Sequence, residues 1–344
     1  MKQLIVIILM LFTVDAFGAS SRILPASYDE YTYDSAGGGE DYTTLTTWEA
    51  DTDIDLVTAA KGKVLTCSSG VHNDSITLAG ATTSASYFRV IRAASGARGT
   101  PTSGVRFEKS TTATTYMFWL SENNAAVYDI ASKLTSSTNS VTNINFLCYE
   151  AYTATFVGCT SYASTSTGTL GQSHGFVVGF YKGGVFRLVN CVAMNHSATV
   201  YTAGFYARAY AAGASTTTYI YNCTSVGNDY GVWVNTVPGT VATLYLKNTI
   251  MQGNSINNLL SDGAGTEYVY NTTNATSGVT FSADGYHITN DLDAVNAGTD
   301  LSGDGTFPFD DDIDGDSRPA GAWDIGCDEY VATGTSWKPQ IIIY

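Results

Sequence analysis

Across 344 residues the chain carries 31 acidic and 16 basic side chains, a formal charge of −15, yet only 14% of its residues are charged and 44% are apolar. So few cations cannot neutralise a phosphate backbone, which excludes a basic nucleic-acid binder, and the apolar content is too high for a disordered chain. Helical bundles and coiled coils draw on Glu, Lys, Leu and Arg; this chain is rich in Thr, Ser, Gly and Tyr, as expected of an all-β protein long enough for one large domain or a solenoid.

The N-terminus reads as a signal peptide over residues 1–19. Lys2 precedes an apolar run from Leu4 to Phe12, and Ala16-Phe17-Gly18-Ala19 supplies small residues for cleavage after Gly18 or Ala19. The run is too short for a bilayer span of about 20 residues. Cleavage would leave a secreted protein, extracellular or at the cell surface, with no membrane span. Residues 20–55 read as an N-terminal cap: Thr46 or Thr47 as N-cap and a short helix through Trp48-Glu49-Ala50 would cover the first rung of a repeating structure.

The repeat itself occupies residues 56–290. Cys159, Cys191 and Cys223 lie 32 residues apart, twice over. Six Cys (67, 148, 159, 191, 223, 327) could pair in an oxidising compartment, but equal spacing marks a repeat, and stacked residues have parallel Cβ vectors that suit a disulfide poorly. Alignment on these positions yields Leu188-Val189-Asn190-Cys191, Ile220-Tyr221-Asn222-Cys223, Leu246-Lys247-Asn248-Thr249 and Val269-Tyr270-Asn271-Thr272. Each is a short strand ending at Asn, a residue that tolerates the left-handed conformation of a sharp bend. Rungs stacked about 4.8 Å apart would align Asn190, Asn222, Asn248 and Asn271 into a ladder. Leu188, Ile220, Leu246 and Val269 would line the core. Two outward columns result: Arg187, Tyr219, Tyr245 and Tyr268 in one, Val189, Tyr221, Lys247 and Tyr270 in the other. The aromatic stripe is a candidate saccharide-binding face, although cross-strand Tyr pairs also stabilise a sheet by about 0.2–1 kcal/mol each without a ligand.

Residues 291–330 lose the repeat and read as an acidic C-terminal cap. Twelve of the 31 acids lie between Asp291 and Glu329, against one basic residue, Arg318. Within it, Asp310-Asp311-Asp312-Ile313-Asp314-Gly315-Asp316 contains Asp-x-Asp-x-Asp-Gly. Asp310, Asp312, Asp314 and Asp316, with Asp324, form a candidate structural Ca²⁺ site; the alternative is a solvated acidic turn braced by Arg318. The apolar tail 331–344, ending Ile341-Ile342-Ile343-Tyr344, is long enough to add as an edge strand to its own solenoid or to a second subunit, a route to self-association.

The strand-Asn-small repeats resemble right-handed parallel β-helix proteins of the pectate-lyase-like superfamily. Gly37-Gly38-Gly39-Glu40-Asp41-Tyr42 through Trp48-Glu49 is similar to the opening of secreted and phage-associated members. Trp323-Asp324-Ile325-Gly326-Cys327-Asp328-Glu329-Tyr330 is similar to their closing motif, with Cys327 where Ala is usual. The resemblance spans residues 33–330 and implies the fold. For activity it implies alternatives. A lyase would use Arg187, Arg208, Lys182 or Lys247 as base, with no pair of carboxylates from neighbouring rungs beside them; a hydrolase would draw on His174 and Asp229, neither of which is supported by the second acid that glycoside hydrolysis requires. The preferred reading is a surface, adhesive or structural module that binds polysaccharide or cell-surface glycan on its outer Tyr face. A polysaccharide lyase or hydrolase and a phage-type receptor-binding protein are the alternatives.

Overall fold

A computed structural model describes residues 20–139, 141–149, 153–179, 181, 183–289 and 292–331. The chain winds into a parallel β-solenoid of about seven turns. Nine strands, from Tyr28–Tyr33 to Thr266–Thr272, pair in parallel as the first sheet. Seven, from Ile76–Leu78 to Asn257–Ser261, form the second, and a third sheet of short strands closes the coil.

Bends set the period. Where the chain leaves the first sheet, Asp129, Gly158, Asn190, Asn222, Asn248 and Thr273 occupy equivalent positions, all with φ between 49° and 62°. Asn, Asp and Gly are the residues that adopt this left-handed conformation at least cost. Thr273, not Asn271, takes the last of these bends. Hydrogen-bond register places Tyr270 beside Tyr245 and Asn271 beside Leu246, and Val269 lies beside Leu244. The fifth repeat is therefore displaced by two residues from its sequence alignment, because Asn271-Thr272 imitates Asn248-Thr249 without making the turn.

Between the bends, alternate residues point inward. Leu65, Ile91, Val127, Phe156, Leu188, Ile220 and Leu246 form one buried column. Opposite stands a phenylalanine ladder from the second sheet: Phe118–Phe146, Phe146–Phe176 and Phe176–Phe205 have ring centroids 5.3, 4.6 and 5.1 Å apart with near-parallel planes. Cys159, Cys191 and Cys223 stack inside the bend, and all six cysteines are buried and free. Burial pushes the thiol of Cys191 well up, so these thiols are core hydrophobes and poor nucleophiles.

The first turn is covered by helix Leu45–Thr52, which buries Leu45 and Trp48. Its N-cap is Thr44, whose hydroxyl accepts from the Thr47 amide at 3.2 Å. The cap thus starts two or three residues before the expected position, Thr46 or Thr47.

The acidic C-terminal segment does not lie across the last rung. It runs as a strap along the flank of the solenoid, from Thr299 beside Asn248 to Asp311 beside Arg22. The asparagine ladder docks it. Asn190 donates to the Asp311 carbonyl (3.0 Å), and Asn248 both donates to the Thr299 carbonyl (2.7 Å) and accepts from its amide (2.9 Å). Strap residues Leu301, Phe307, Phe309 and Trp323 pack on Tyr128, Val157, Val189 and Tyr221 of the first sheet.

Candidate functional site

The strap rearranges the expected Tyr face. Tyr221 is buried beneath it, and Lys247 is committed to Asp304 at 2.6 Å while lying over the Tyr221 ring. Tyr219, Tyr245 and Tyr270 stand in one column beside Arg187; Tyr268 lies beside Thr243, in another column. Tyr219–Tyr245 and Tyr245–Tyr270 stack at 5.0 and 4.8 Å with planes within 10°. Face-to-face stacking leaves mainly ring edges outward, so this ladder offers a sugar little of the ring face that it would cover. Its packing is the cross-strand stabilisation of an ordinary sheet.

The candidate catalytic groups are not assembled. Arg187 belongs to the outer face of the first sheet and Arg208 to the second, where it lies over Tyr206 and Tyr210. Lys182 lies outside the described residues. The Nδ1 of His174 accepts from the Ala203 amide at 3.1 Å, and burial lowers its pKa to about 3. Asp229 caps the Thr202 amide (2.7 Å) and accepts from the Ser255 hydroxyl (2.7 Å). Each is therefore occupied in holding neighbouring rungs. A hydroxyl–imidazole contact does occur between Ser161 and His196 (3.0 Å), but Ser161 is 0% and His196 4% exposed, within a polar seam with Asn145 and Ser164. A nucleophile sealed from solvent has no substrate.

Nor do the candidate calcium ligands converge. Asp312 Oδ1 accepts from the Asp314 and Asp316 amides, both at 2.9 Å, and Asp324 accepts from the Asn296 and Tyr330 amides, both at 2.6 Å. Asp316 is exposed, and Asp310 is half-buried. Among the described residues, the group whose ligand atoms lie within 4.8 Å of one another is His287, Asp314 and Asp328. That cluster already holds cations: Arg98 reaches Asp314 at 2.9 Å, and the His287 ring lies between Asp284 and Asp314.

The cluster makes the strap pH-sensitive. Burial opposes charge on His287, but its bonds to Asp314 and Asp284 outweigh it and raise the ring's pKa to about 9. The folded chain keeps this proton when the unfolded chain has lost it. Stabilisation is thus complete below pH about 6.5 and is lost as pH rises through 9. Burial raises Asp328 to about 6 and Glu329 to about 7. These carboxyls stabilise the fold fully below their unfolded values and also lose their contribution on the alkaline side. Strap stability should therefore fall between pH 5 and 9, with about 2 kcal/mol from His287 after discounting its partial exposure. Protease resistance of the strap across this range is the measurement. His287→Gln should flatten the decline above pH 7, and an unchanged slope would refute the assignment.

The second sheet carries on its outer side an aromatic cluster that the Asn-centred alignment missed, part buried and part half-exposed. Outside the phenylalanine ladder, Trp119, Leu147, Val177, Tyr206, Trp233 and Leu260 form one column over six rungs. Tyr116, Ile144, His174, Ala203 and Tyr230 form the next. Tyr149 and Tyr201 flank them. The signal was present in Gly175-Phe176-Val177-Val178, Gly204-Phe205-Tyr206-Ala207 and Gly231-Val232-Trp233-Val234, a second repeat. Here many rings meet at right angles: Tyr116–Trp119 (5.3 Å, 82°), Trp119–Tyr149 (5.5 Å, 72°) and Tyr201–Trp233 (5.0 Å, 80°). At the centre of the cluster Tyr206 and Trp233 stack face to face at 4.3 Å and are buried. Asp262 supplies a polar rim, accepting from the Trp233 indole (2.6 Å) and the Asn235 amide (3.1 Å).

Compared with known families, curated proteins and solved structures, the chain matches none.

Proposed function

We propose that this protein is an exported, non-catalytic glycan-binding solenoid of pectate-lyase-like type, which lays a weakly charged saccharide chain along the aromatic face of its second sheet. The observation that carries this reading is the aromatic cluster outside the second sheet, where half-buried Tyr116, Trp119, Tyr201 and Tyr230 surround the buried Tyr206–Trp233 stack. Rigid rings with polar tips at the half-exposed edge of this cluster suit a ligand having both C–H faces and hydroxyls. Scarcity of charge on this face favours neutral over acidic glycans. The failure of Arg187, Arg208, His174 and Asp229 to meet supports binding without turnover.

Titration calorimetry against neutral polysaccharides tests the reading. Trp119→Ala, at the half-exposed edge, and Trp233→Ala, which removes the buried stack supporting that edge, should each weaken binding about tenfold or more. Unchanged affinity in both variants, or release of unsaturated product absorbing near 235 nm from uronate polymers, would overturn it. A stable trimer in light scattering that hides these tryptophans from quenchers would favour a tail-spike-like assembly instead.

A further inference from the structure

Beside the strap, the outer face of the first sheet holds a cavity of about 610 Å³, within the range of small-molecule sites (about 300–1,000 Å³). Four parts of the chain enclose it: the N-terminal segment at Ile23, the turn at Phe88, sheet residues Ala126 and Thr155, and strap residues Phe307 and Pro308. Its walls are mostly apolar. One cation enters it, Arg187.

That cation lacks a counter-ion. Arg22, Arg89, Arg92, Arg98, Arg106 and Arg318 each hold a carboxylate. Arg187 holds none among the described residues, and its Nε is buried with no hydrogen-bond partner. Leaving it so in a chain of net charge −15 has a cost, because a half-buried charge with a buried, unbonded Nε gains from a partner. The Phe307 ring, 5.5 Å from the guanidinium carbon, braces it from the strap side. Thr155 stands on the neighbouring rung, directly beside it in register.

We propose that this cavity binds a small carboxylate with an apolar body, the carboxylate paired with Arg187 and the body seated against Phe88, Ala126, Phe307 and Pro308. Planar guanidinium and carboxylate match as a two-bond fork, and the apolar walls select against a fully hydroxylated acid. The strap supplies Phe307 and Pro308, so the site exists only when the strap is docked. It is separate from the aromatic face of the second sheet.

Calorimetry with benzoate, hexanoate, benzamide and galacturonate provides the test. Benzoate and hexanoate should bind saturably and raise the melting temperature, benzamide should not bind, and galacturonate should bind more weakly. Arg187→Gln should weaken benzoate binding about 10–100-fold, the worth of a charged hydrogen-bonded contact, and Arg187→Lys should restore part of it. Phe307→Leu should weaken it in a chain that still folds, as judged by circular dichroism. Equal binding of benzamide and benzoate, galacturonate binding as tightly as benzoate, benzoate binding untouched by Arg187→Gln, or no binding of any carboxylate would each overturn the proposal.

Discussion

Replacing Arg318 with alanine is expected to free the strap from the solenoid. The Arg318 side chain is fully buried and stacks on Trp323, 5.3 Å from the ring centre. Its guanidinium bonds Glu329 (2.7 Å) and the carbonyls of Asp311 (3.3 Å), Asp324 (3.4 Å) and Gly326 (3.1 Å). It also lies 3.2 Å from the Asn222 amide in the bend ladder. Removal leaves several buried acceptors and a carboxylate unpaired together, a loss of about 3–5 kcal/mol. Lysine cannot substitute, since its ammonium lacks the planar fork that reaches several carbonyls at once. Limited proteolysis should cut the variant between residues 298 and 328, and Trp323 emission should shift to the red, with the β-sheet circular dichroism retained. Wild-type protease resistance would show that the apolar contacts of Phe307, Phe309 and Trp323 hold the strap without this ion.

A comparable effect is expected at the opposite end. Arg89 is fully buried and pairs with buried Glu122, Nε to Oε1 being 2.8 Å. It also donates to the carbonyls of Glu49 (3.2 Å) and Ala79 (2.8 Å), which ties the capping helix to the first turns. Burial raises the Glu122 carboxyl despite this partner. Arg89→Met should cost about 3–5 kcal/mol by stranding that carboxyl. Arg89→Met with Glu122→Leu should recover a large part, because no fully buried charge is then left alone; the part-exposed Glu49 carboxylate (3.5 Å from Arg89) and the two backbone carbonyls still lose their donor, so recovery is incomplete. Urea denaturation of the three proteins measures this. A double variant no more stable than the single one would mean that the carbonyl contacts, and not the stranded charge, dominate.

Legibility from sequence was uneven for physical reasons. The bend after the first sheet demands a left-handed residue, so Asn190, Asn222 and Asn248 disclose the period. Thr273 meets the same demand without a recognisable residue type, and Asn271 presents the type without the turn. Alternation then assigned Leu188, Ile220 and Leu246 to the core. It could not show what lies outside, since the same outward column is solvent-exposed at Thr272 and a buried seat at Tyr221. The aromatic columns of the second sheet follow a separate glycine-centred repeat, which alignment on asparagine does not register.

The charge of the chain illustrates the division. Sequence alone determined that the protein is a parallel solenoid and that its acids gather beyond residue 290. It did so because bends and alternation are local demands on residue type. Tertiary structure decided where those acids go: along the flank, with Asp304 on Lys247, Asp311 on Arg22, Asp314 on Arg98 and Glu329 on Arg318. These partners lie from 11 to 289 residues apart in the chain. Only the stacking of rungs brings them together. The same packing that pairs these cations leaves Arg187 without an acid among the described residues, which no reading of composition or spacing could have disclosed.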